Sequence, residues 1–235
     1  KIKNEVSHEN NFIWFHVASL GEYEIAVPLI RLIKEKYESK VILTFFSESG
    51  FKLKNRIKEI DYTYYLPLDT KSNAKKFLDI INPELVIFVR SEIWPNYLNE
   101  IKKRNIKSYL VESRFNQNSR YLSGIQSIFY LKKLKIFDKI FTVDEESKKT
   151  LNKVKINNVI VSGSLKIERV KDYLEDNYNN NIIKSFKGDD LCIVCGSTWK
   201  EDEKIIFKYI KESKKEKIKW IIAPHDISKK NIERL

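Results

Sequence analysis

The chain has 235 residues, which is enough for one large domain or two small ones with a sizeable core. Hydrophobic residues make up 42% and charged residues 32%, a globular composition that excludes a disordered or fibrous chain. Lysine and arginine (44) outnumber aspartate and glutamate (32), so the net charge is +12. This charge favours an anionic partner (nucleic acid, anionic lipid or a phosphorylated substrate), unless the basic residues only form a solvated surface.

Two cysteines are too few for a disulfide scaffold and fit a reducing compartment. Cys192 and Cys195 have C-x-x-C spacing inside an apolar strand, where we expect them to pack in the core rather than bind a metal. No run approaches the roughly 20 apolar residues that span a bilayer, and the first residues do not form a signal peptide. Because the sequence begins at Lys1 and contains no methionine, we expect it to belong to a longer chain.

Short segments rich in Ile, Val and Phe alternate with longer segments in which charged residues recur at helical spacing. In chain order, the predicted strands are 12–18, 41–46, 62–66, 85–89, 106–111, 137–143 and 159–162. The predicted helices between them are 22–37, 51–59, 71–81, 94–104, 121–135 and 145–154. This alternation predicts an α/β fold with a doubly wound, mostly parallel sheet, whose ligands bind beyond the carboxyl ends of the strands.

The segment 171–189 is polar and rich in asparagine, and it predicts a helix and linker between a first domain at 1–170 and a second at 190–235. The pattern then restarts with strand 191–195, helix 200–214, strand 218–223 and the start of a helix at 228–235. Two parallel strands cannot bury both faces of a sheet, so we expect 190–235 to be an incomplete domain.

The clearest candidate site follows the first strand, at Ser19-Leu-Gly21-Glu22. Ser19 is placed to cap the next helix, and Gly21 allows a ligand to approach the backbone closely. Glu22 falls in the first helical turn, where the helix dipole favours a carboxylate. A carboxylate at this edge can act as a general base, but an acidic residue in a first turn also fits a purely structural role.

Charged residues follow two further strands. Arg90 and Glu92 follow the fourth strand just before a Trp-Pro pair, and they either line the ligand edge or belong to a plain helix start. Arg114 follows the fifth strand and either clamps a phosphate or forms a surface salt bridge.

Two glycine–serine turns follow later strands. Gly163-Ser-Leu-Lys166 ends the first domain, and Gly196-Ser197-Thr198 opens a helix in the second, where it either binds an anion or caps the helix. Pro224-His225 ends the last strand at the same edge. The three histidines lack metal-ligand spacing, and no basic stripe with interleaved aromatics indicates a nucleic-acid module.

Seven segments in this order resemble the 3-deoxy-D-manno-octulosonic acid (Kdo) transferase family. They are Ala18-Ser-Leu-Gly-Glu22, Pro28-Leu-Ile-Arg31, Tyr65-Leu-Pro-Leu-Asp69, Glu92-Ile-Trp-Pro-Asn96, Ser113-Arg114, Gly163-Ser-Leu-Lys166 and Gly196-Ser-Thr-Trp199. The resemblance extends from about Phe12 to His225. It implies a GT-B-like enzyme, with a Rossmann-like acceptor domain followed by the first part of a Rossmann-like donor domain.

The resemblance also implies an inverting transfer of Kdo from CMP-Kdo to a phosphorylated lipid A precursor in lipopolysaccharide core synthesis, with no metal or other cofactor. Glu22 is the implied general base. The residues implied in acceptor binding are Ser19, Gly21, Arg90, Glu92 and Arg114. Those implied in donor binding are Lys166, Gly196, Ser197, Thr198, Pro224 and His225. The implied surroundings are an anionic membrane surface at the cytoplasmic face of the bacterial inner membrane, without nucleic acid and with an N-terminal anchor that this sequence lacks.

Some positions depart from the family pattern. Arg90-Ser-Glu92 stands where the family often has Glu-Thr-Glu, and Pro224-His225-Asp226 lacks the arginine of the usual Pro-Arg-His. Later donor motifs would follow Leu235, so we expect these 235 residues alone to bind CMP-Kdo poorly and to turn over little. Two other functions remain open from the residues: a GT-B transferase with a soluble acceptor, and a non-catalytic sugar- or nucleotide-binding module.

Overall fold

A computed structural model describes residues 11–47, 59–116, 127–175, 180–213 and 217–235, together with the single residues Val6 and Leu122. The chain divides into two compact units, Lys1–Asp176 and Asn177–Leu235. The helix predicted at 51–59 lies almost entirely outside the described residues, as does most of 121–126 at the start of another predicted helix.

A seven-stranded parallel sheet forms the centre of the first unit in the residues that the structure describes. Its strands are β1 (Phe12–Val17), β2 (Lys40–Phe45), β3 (Tyr62–Tyr65), β4 (Leu85–Val89), β5 (Lys107–Ser113), β6 (Lys139–Thr142) and β7 (Val159–Val161). The strand order is β3-β2-β1-β4-β5-β6-β7. The chain adds β2 and β3 on one side of β1 and then returns to add β4 to β7 on the other side. The predicted doubly wound α/β fold is therefore confirmed, with its topological switch point at β1 and β4.

Helices cover both faces of this sheet. They are α1 (Leu20–Lys36), α2 (Lys71–Ile81), α3 (Pro95–Lys103), α4 (Ser127–Leu134), α5 (Glu145–Lys153) and α6 (Leu165–Glu175). Local chemistry defines α2 sharply: the Thr70 side chain accepts the Asn73 N–H at its start, and Asn82 ends it in the left-handed conformation just before Pro83. The structure reproduces the predicted bounds of this helix.

Aromatic side chains fill the core on one face of the sheet. Trp14 is fully buried and packs edge-on against Phe77 and Phe88, with ring centroids 5.1 and 5.6 Å apart. On the opposite face, the buried side chain of Phe15 belongs to the core cluster that includes Ile30 of α1. Because both faces are covered, these strands read as continuous apolar runs rather than as alternating patterns.

Ion pairs fix α6 against α1. The Arg169 guanidinium contacts the Glu24 carboxylate with two nitrogens, at 2.8 and 3.0 Å. Arg31 of α1 binds Glu59 at 2.7 Å and approaches Asp172 of α6 at 3.5 Å. These contacts hold the helix whose first turn carries Glu22.

The second unit contains α7 (Asn181–Lys187), β8 (Leu191–Thr198), α8 (Lys200–Glu212), β9 (Ile218–Pro224) and α9 (Lys229–Arg234). Strands β8 and β9 pair in parallel. Cys192 and Cys195 are only half-buried, so the expectation that they lie in the core is wrong. The reason is that two described strands supply too few side chains to cover both faces of their sheet, and Val194 of β8 is likewise 66% exposed. Within the described ranges of the chain, every helix is too short or too polar to span a lipid bilayer.

Candidate functional site

The candidate site lies at the carboxyl edge of the sheet, where β1 and β4 are neighbours. The loop after β1 ends at Ser19 and leads into α1, whose first turn carries Gly21 and Glu22, while the segment after β4 carries Arg90 and Glu92. Chain connections leave a switch point in opposite directions, which opens a crevice between the two loops.

Glu22 is half-buried in the first turn of α1. Its Oε2 accepts the backbone N–H of Ala18 at 2.5 Å, so the carboxylate folds back over the end of β1. Burial raises the pKa of Glu22 above its ordinary value, and the nearby Glu92 carboxylate adds to this, while the Ala18 N–H and Arg90 oppose it. The structure thus brings Glu22, Arg90 and Glu92 within electrostatic range of one another.

The raised pKa of Glu22 predicts a pH-dependent stability difference. Because the folded-state pKa exceeds the unfolded value, ionisation of Glu22 opposes folding. We expect Glu22→Gln to gain free energy of unfolding relative to the native chain as pH rises through that pKa, and to differ least in acid. Urea titrations between about pH 4 and pH 8 measure the difference, and a gain that shrinks with rising pH would contradict the assigned direction.

Ser19 lies at the N-cap position of α1 but does not cap the helix through its side chain. Gly21 lies in the first helical turn, because α1 begins at Leu20 and not at the predicted residue 22. The Ser19 backbone is extended at the N-cap position, and its side chain makes no capping hydrogen bond. Glu22 accepts the Ala18 N–H instead, from inside the helix. Among the described residues, a Cβ added at Gly21 would meet only the Ser19 hydroxyl, at 4.0 Å, so their packing does not require glycine there.

Two side chains that were not predicted as part of the site, those of Trp94 and His16, lie against the Glu92 carboxylate. The Trp94 indole N–H donates to Oε2 of Glu92 at 2.8 Å, and Nε2 of the fully buried His16 lies 3.4 Å from the same oxygen. The other ring nitrogen of His16 lies 2.9 Å from the Thr44 hydroxyl on β2. In the sequence His16 appeared only as one of three histidines without metal-ligand spacing, because its partners are distant along the chain.

Backbone strain accumulates where strands end. The backbones of Arg90 (φ 68°) and Glu112 (φ 54°) both adopt the left-handed conformation, which residues other than glycine and asparagine rarely take. The Arg90 N–H is satisfied by the Val111 carbonyl at 2.8 Å, and its side chain is exposed at the edge. Such outliers are characteristic of functional sites, where the surrounding structure holds them.

Glu112, at the end of β5, also escaped prediction. It is buried, and its carboxylate accepts the Ser164 hydroxyl and the Leu165 N–H, both at 2.7 Å. It thereby holds the first turn of α6, next to the exposed side chain of Lys166. Glu112 thus connects the carboxyl end of β5 to the glycine–serine turn that follows β7.

We expect Glu112→Ala to lower the free energy of unfolding of the first unit by about 1–3 kcal/mol, because two donors lose a buried acceptor. Ser164→Ala, which removes one of those donors, should cost less. Exposed Glu168 on the same helix provides the control, and its alanine variant should unfold like the native chain. Equal urea midpoints for the Glu112 and Glu168 variants would show that Glu112 does not anchor α6.

Arg114 lies beside a carboxylate of its own chain. Its exposed side chain helps to line a cavity of about 180 Å³ with Asp144 and Ser147. Hydrogen bonds from Ser147 hold the pKa of Asp144 below its usual value, and Arg114 contributes less to the same shift. Among the described residues, Arg114 acts on Asp144 by charge from beyond salt-bridge distance, so the expected surface salt bridge is not formed there. The role of Arg114 in acceptor binding stays a prediction.

In the second unit, the residues predicted to bind the donor meet at the ends of β8 and β9. Ser197 is left-handed (φ 57°), and its hydroxyl lies 3.0 Å from Nδ1 of His225. The Trp199 and His225 rings stack with centroids 4.4 Å apart. The backbone N–H of His225 donates to the backbone carbonyl of Thr198. Pro224 pairs with Thr198 across an irregularity that follows Gly196.

Internal partners already occupy part of this turn. The buried Thr198 hydroxyl donates to the Glu203 carboxylate, which also binds Arg234. The backbone N–H of Trp199 donates to the Asp202 carboxylate. Strand β8 runs to Thr198, so the predicted turn belongs to the end of the strand, and α8 starts only after Trp199. Among the residues that the structure describes, no three His, Cys, Asp or Glu side chains gather as metal ligands.

The fold has well-matched relatives among solved structures. UDP-GlcNAc 2-epimerase from Neisseria meningitidis, bound to UDP-GlcNAc, matches 95% of this chain and 67% of its own with a TM-score of 0.68 at 17% identity. UGT2 from Phytolacca americana matches 93% of this chain and 66% of its own, with a TM-score of 0.51 at 12% identity. The protein is GT-B-like, with the Rossmann-like fold shared by such glycosyltransferases and epimerases.

Comparison by sequence gives the family. The family model described as 3-Deoxy-D-manno-octulosonic-acid transferase (kdotransferase) matches residues 1–169. The transferase of that name from Rickettsia felis is 30% identical over 218 residues, which are 92% of this chain and 47% of that protein. The one from Rickettsia bellii is 30% identical over 213 residues, which are 89% of this chain and 50% of that protein. The chain belongs to the Kdo transferase family of glycosyltransferases and spans about half the length of these relatives.

Proposed function

We propose that the protein containing this chain transfers Kdo from CMP-Kdo to a phosphorylated lipid A precursor at the cytoplasmic face of the bacterial inner membrane. Membership in the family supports Kdo transfer in general. The named donor, acceptor and location extend that general activity. The observation that carries the proposal is the Glu22 carboxylate, fixed by the Ala18 N–H at the switch-point edge of the sheet.

Glu22 acts as the general base in this mechanism. Its carboxylate takes the proton of an acceptor hydroxyl as the hydroxyl oxygen bonds to the anomeric carbon of Kdo. The bond from that carbon to the CMP oxygen breaks on the opposite face, which inverts the centre. A raised pKa suits a base because it brings proton affinity closer to the working pH.

Arg90 and Glu92 complete the acceptor side of the site. The exposed Arg90 guanidinium can bind an acceptor phosphate while it offsets the charge of the Glu22 carboxylate. Glu92, fixed by Trp94, accepts a sugar hydroxyl. Ser19 and Gly21, at the start of α1, lie where the acceptor would approach Glu22, and Arg114 provides a second positive charge at the strand ends.

The second unit binds the donor in this proposal, through Gly196, Ser197, Thr198, Pro224 and His225. The role of Lys166 in donor binding stays a prediction from the sequence. Thr198 contributes its backbone, since its hydroxyl is bound to Glu203. In this proposal, basic side chains and backbone N–H groups bind the leaving CMP and stabilise its negative charge, and no metal takes part. The net charge of +12 favours an anionic leaflet, at about 1 kcal/mol for each well-placed Lys or Arg.

An acceptor exchange tests the proposal. The full-length protein encoded by the reading frame is incubated with CMP-Kdo and either a phosphorylated lipid A precursor or a soluble sugar acceptor. We expect transfer to the lipid only, and a rate on anionic vesicles that falls with added salt because exposed charges are screened. Transfer to the soluble sugar but not to the lipid would contradict the proposed lipid acceptor and favour a soluble acceptor.

A further inference from the structure

The buried ring of His16 has one nitrogen whose role in the fold is unaccounted for. His16 is fully buried near the end of β1, with the Trp94 ring at right angles and 5.0 Å away. Its Nε2 atom makes no well-aligned hydrogen bond to any described residue, although Oε2 of Glu92 lies 3.4 Å from it. A buried polar atom without a partner is costly, so its presence beside a site carboxylate calls for a reason.

Thr44 determines which nitrogen of this ring carries the proton. The Thr44 hydroxyl oxygen accepts the Trp14 indole N–H at 2.8 Å. Its own hydrogen can go to Nδ1 of His16 at 2.9 Å or to the Phe15 carbonyl at 3.4 Å, and the shorter contact is the stronger one. When Thr44 donates to Nδ1, the neutral ring carries its proton on Nε2, facing Glu92.

We propose that His16 is a positioning residue for Glu92: its Nε2–H closes onto Oε2 of Glu92 when the acceptor binds, and Thr44 holds the ring in the tautomer that permits this. Hydrogen bonds of active sites are often long in the empty enzyme and tighten in the complex. Trp94 already donates to the same oxygen, so a second donor would fix the plane of the carboxylate. The effect reaches Glu22 through the electrostatic influence of Glu92. The kinetic part of this inference rests on the proposed function.

A packing role for His16 is the competing explanation. The ring fills space beside Phe88, with centroids 5.8 Å apart, and Trp94. If packing alone mattered, any side chain of similar size would serve, whichever atom carried a hydrogen. The competing explanations therefore differ in what they predict for isosteric variants.

Two matched pairs of variants separate the explanations. The amide nitrogen of His16→Gln can reach the Nε2 position and donate to Glu92, whereas the shorter His16→Asn replaces only the contact to Thr44. Thr44→Val removes the hydroxyl while keeping the side-chain shape, and Thr44→Ser keeps the hydroxyl. In the full-length protein, we expect His16→Asn and Thr44→Val to lose about 10- to 100-fold in kcat/KM for the acceptor. The Gln and Ser variants should stay within about 3-fold of the native enzyme, with donor KM matched within each pair and melting temperature matched for the His16 pair. Thr44→Val also removes the acceptor of the Trp14 indole N–H, so we expect it to melt lower than Thr44→Ser, and the two activities are compared well below both transitions.

A double-mutant cycle and a spectrum complete the test. In a Glu92→Ala background, which removes the acceptor oxygens, His16→Asn should cause no further loss, because the two residues act through one contact. The ring ¹⁵N shifts of the native 235-residue chain should show a proton on Nε2. The inference is overturned if the proton is on Nδ1, or if the Asn and Gln variants lose activity equally. If the native enzyme transfers no Kdo, the proposed function fails, and the ring spectrum still decides the assignment of His16.

Discussion

Glu22→Gln should lower the kcat for Kdo transfer by about 10²- to 10⁴-fold, the range expected for loss of a general base. The amide keeps the size of the side chain and can still accept the Ala18 N–H through its oxygen, but it cannot take a proton. The measurement is a steady-state assay of the full-length protein with saturating donor and acceptor. We expect KM for both substrates to change little, because the lost interaction belongs to the transition state.

Glu35→Gln provides the matched control for that assay. Glu35 is exposed near the other end of the same helix, α1, and carries the same charge. Its glutamine variant should retain native kcat. Native kcat in both variants would exclude Glu22 as the base, and an equal loss of kcat in both would point to damage of the helix rather than of the mechanism.

Trp14→Ala should have the largest effect on stability, a loss of about 3–5 kcal/mol in the free energy of unfolding. The ring is fully buried among Phe77, Phe88 and Tyr97, and its N–H binds Thr44, so truncation leaves a cavity and removes a buried hydrogen bond. Urea unfolding followed by far-ultraviolet circular dichroism measures the loss without depending on tryptophan fluorescence.

Tyr37→Ala is the control for truncation of a large aromatic residue. Tyr37 ends α1 and is 61% exposed, so we expect its variant to lose less than about 1 kcal/mol. Trp14→Phe should fall between the two, because it keeps one buried aromatic ring but loses part of the ring volume and the N–H. A Trp14→Ala variant as stable as the Tyr37 variant would contradict the assignment of Trp14 to the core.

The order of strands and helices was predictable because local chemistry determines most of it. The bounds of α2 and β4 match the prediction, since Thr70 caps the helix, Asn82-Pro83 ends it, and an uninterrupted apolar run forms the strand. Placing Glu22 at the ligand edge needed only the end of a strand and the first turn of a helix. These features lie within a few neighbouring residues of the chain.

The contacts that build the site could not be predicted in the same way, because they join distant residues. His16 and Thr44 are 28 positions apart, and Glu112 and Ser164 are 52 apart. The half-burial of Cys192 and Cys195 was missed for a related reason. An apolar strand pattern predicts a side chain that can be buried, and the neighbouring strands of the folded sheet decide whether it is.

Mass spectrometry of the lipid product is the most direct test of Kdo transfer by the full-length protein. After incubation with a phosphorylated lipid A precursor and CMP-Kdo, we predict that the lipid gains the mass of one or more Kdo residues. With UDP-GlcNAc, the ligand named for the structural relative from Neisseria meningitidis, we predict no gain. An unchanged lipid with CMP-Kdo, or a gain only with UDP-GlcNAc, would contradict the account.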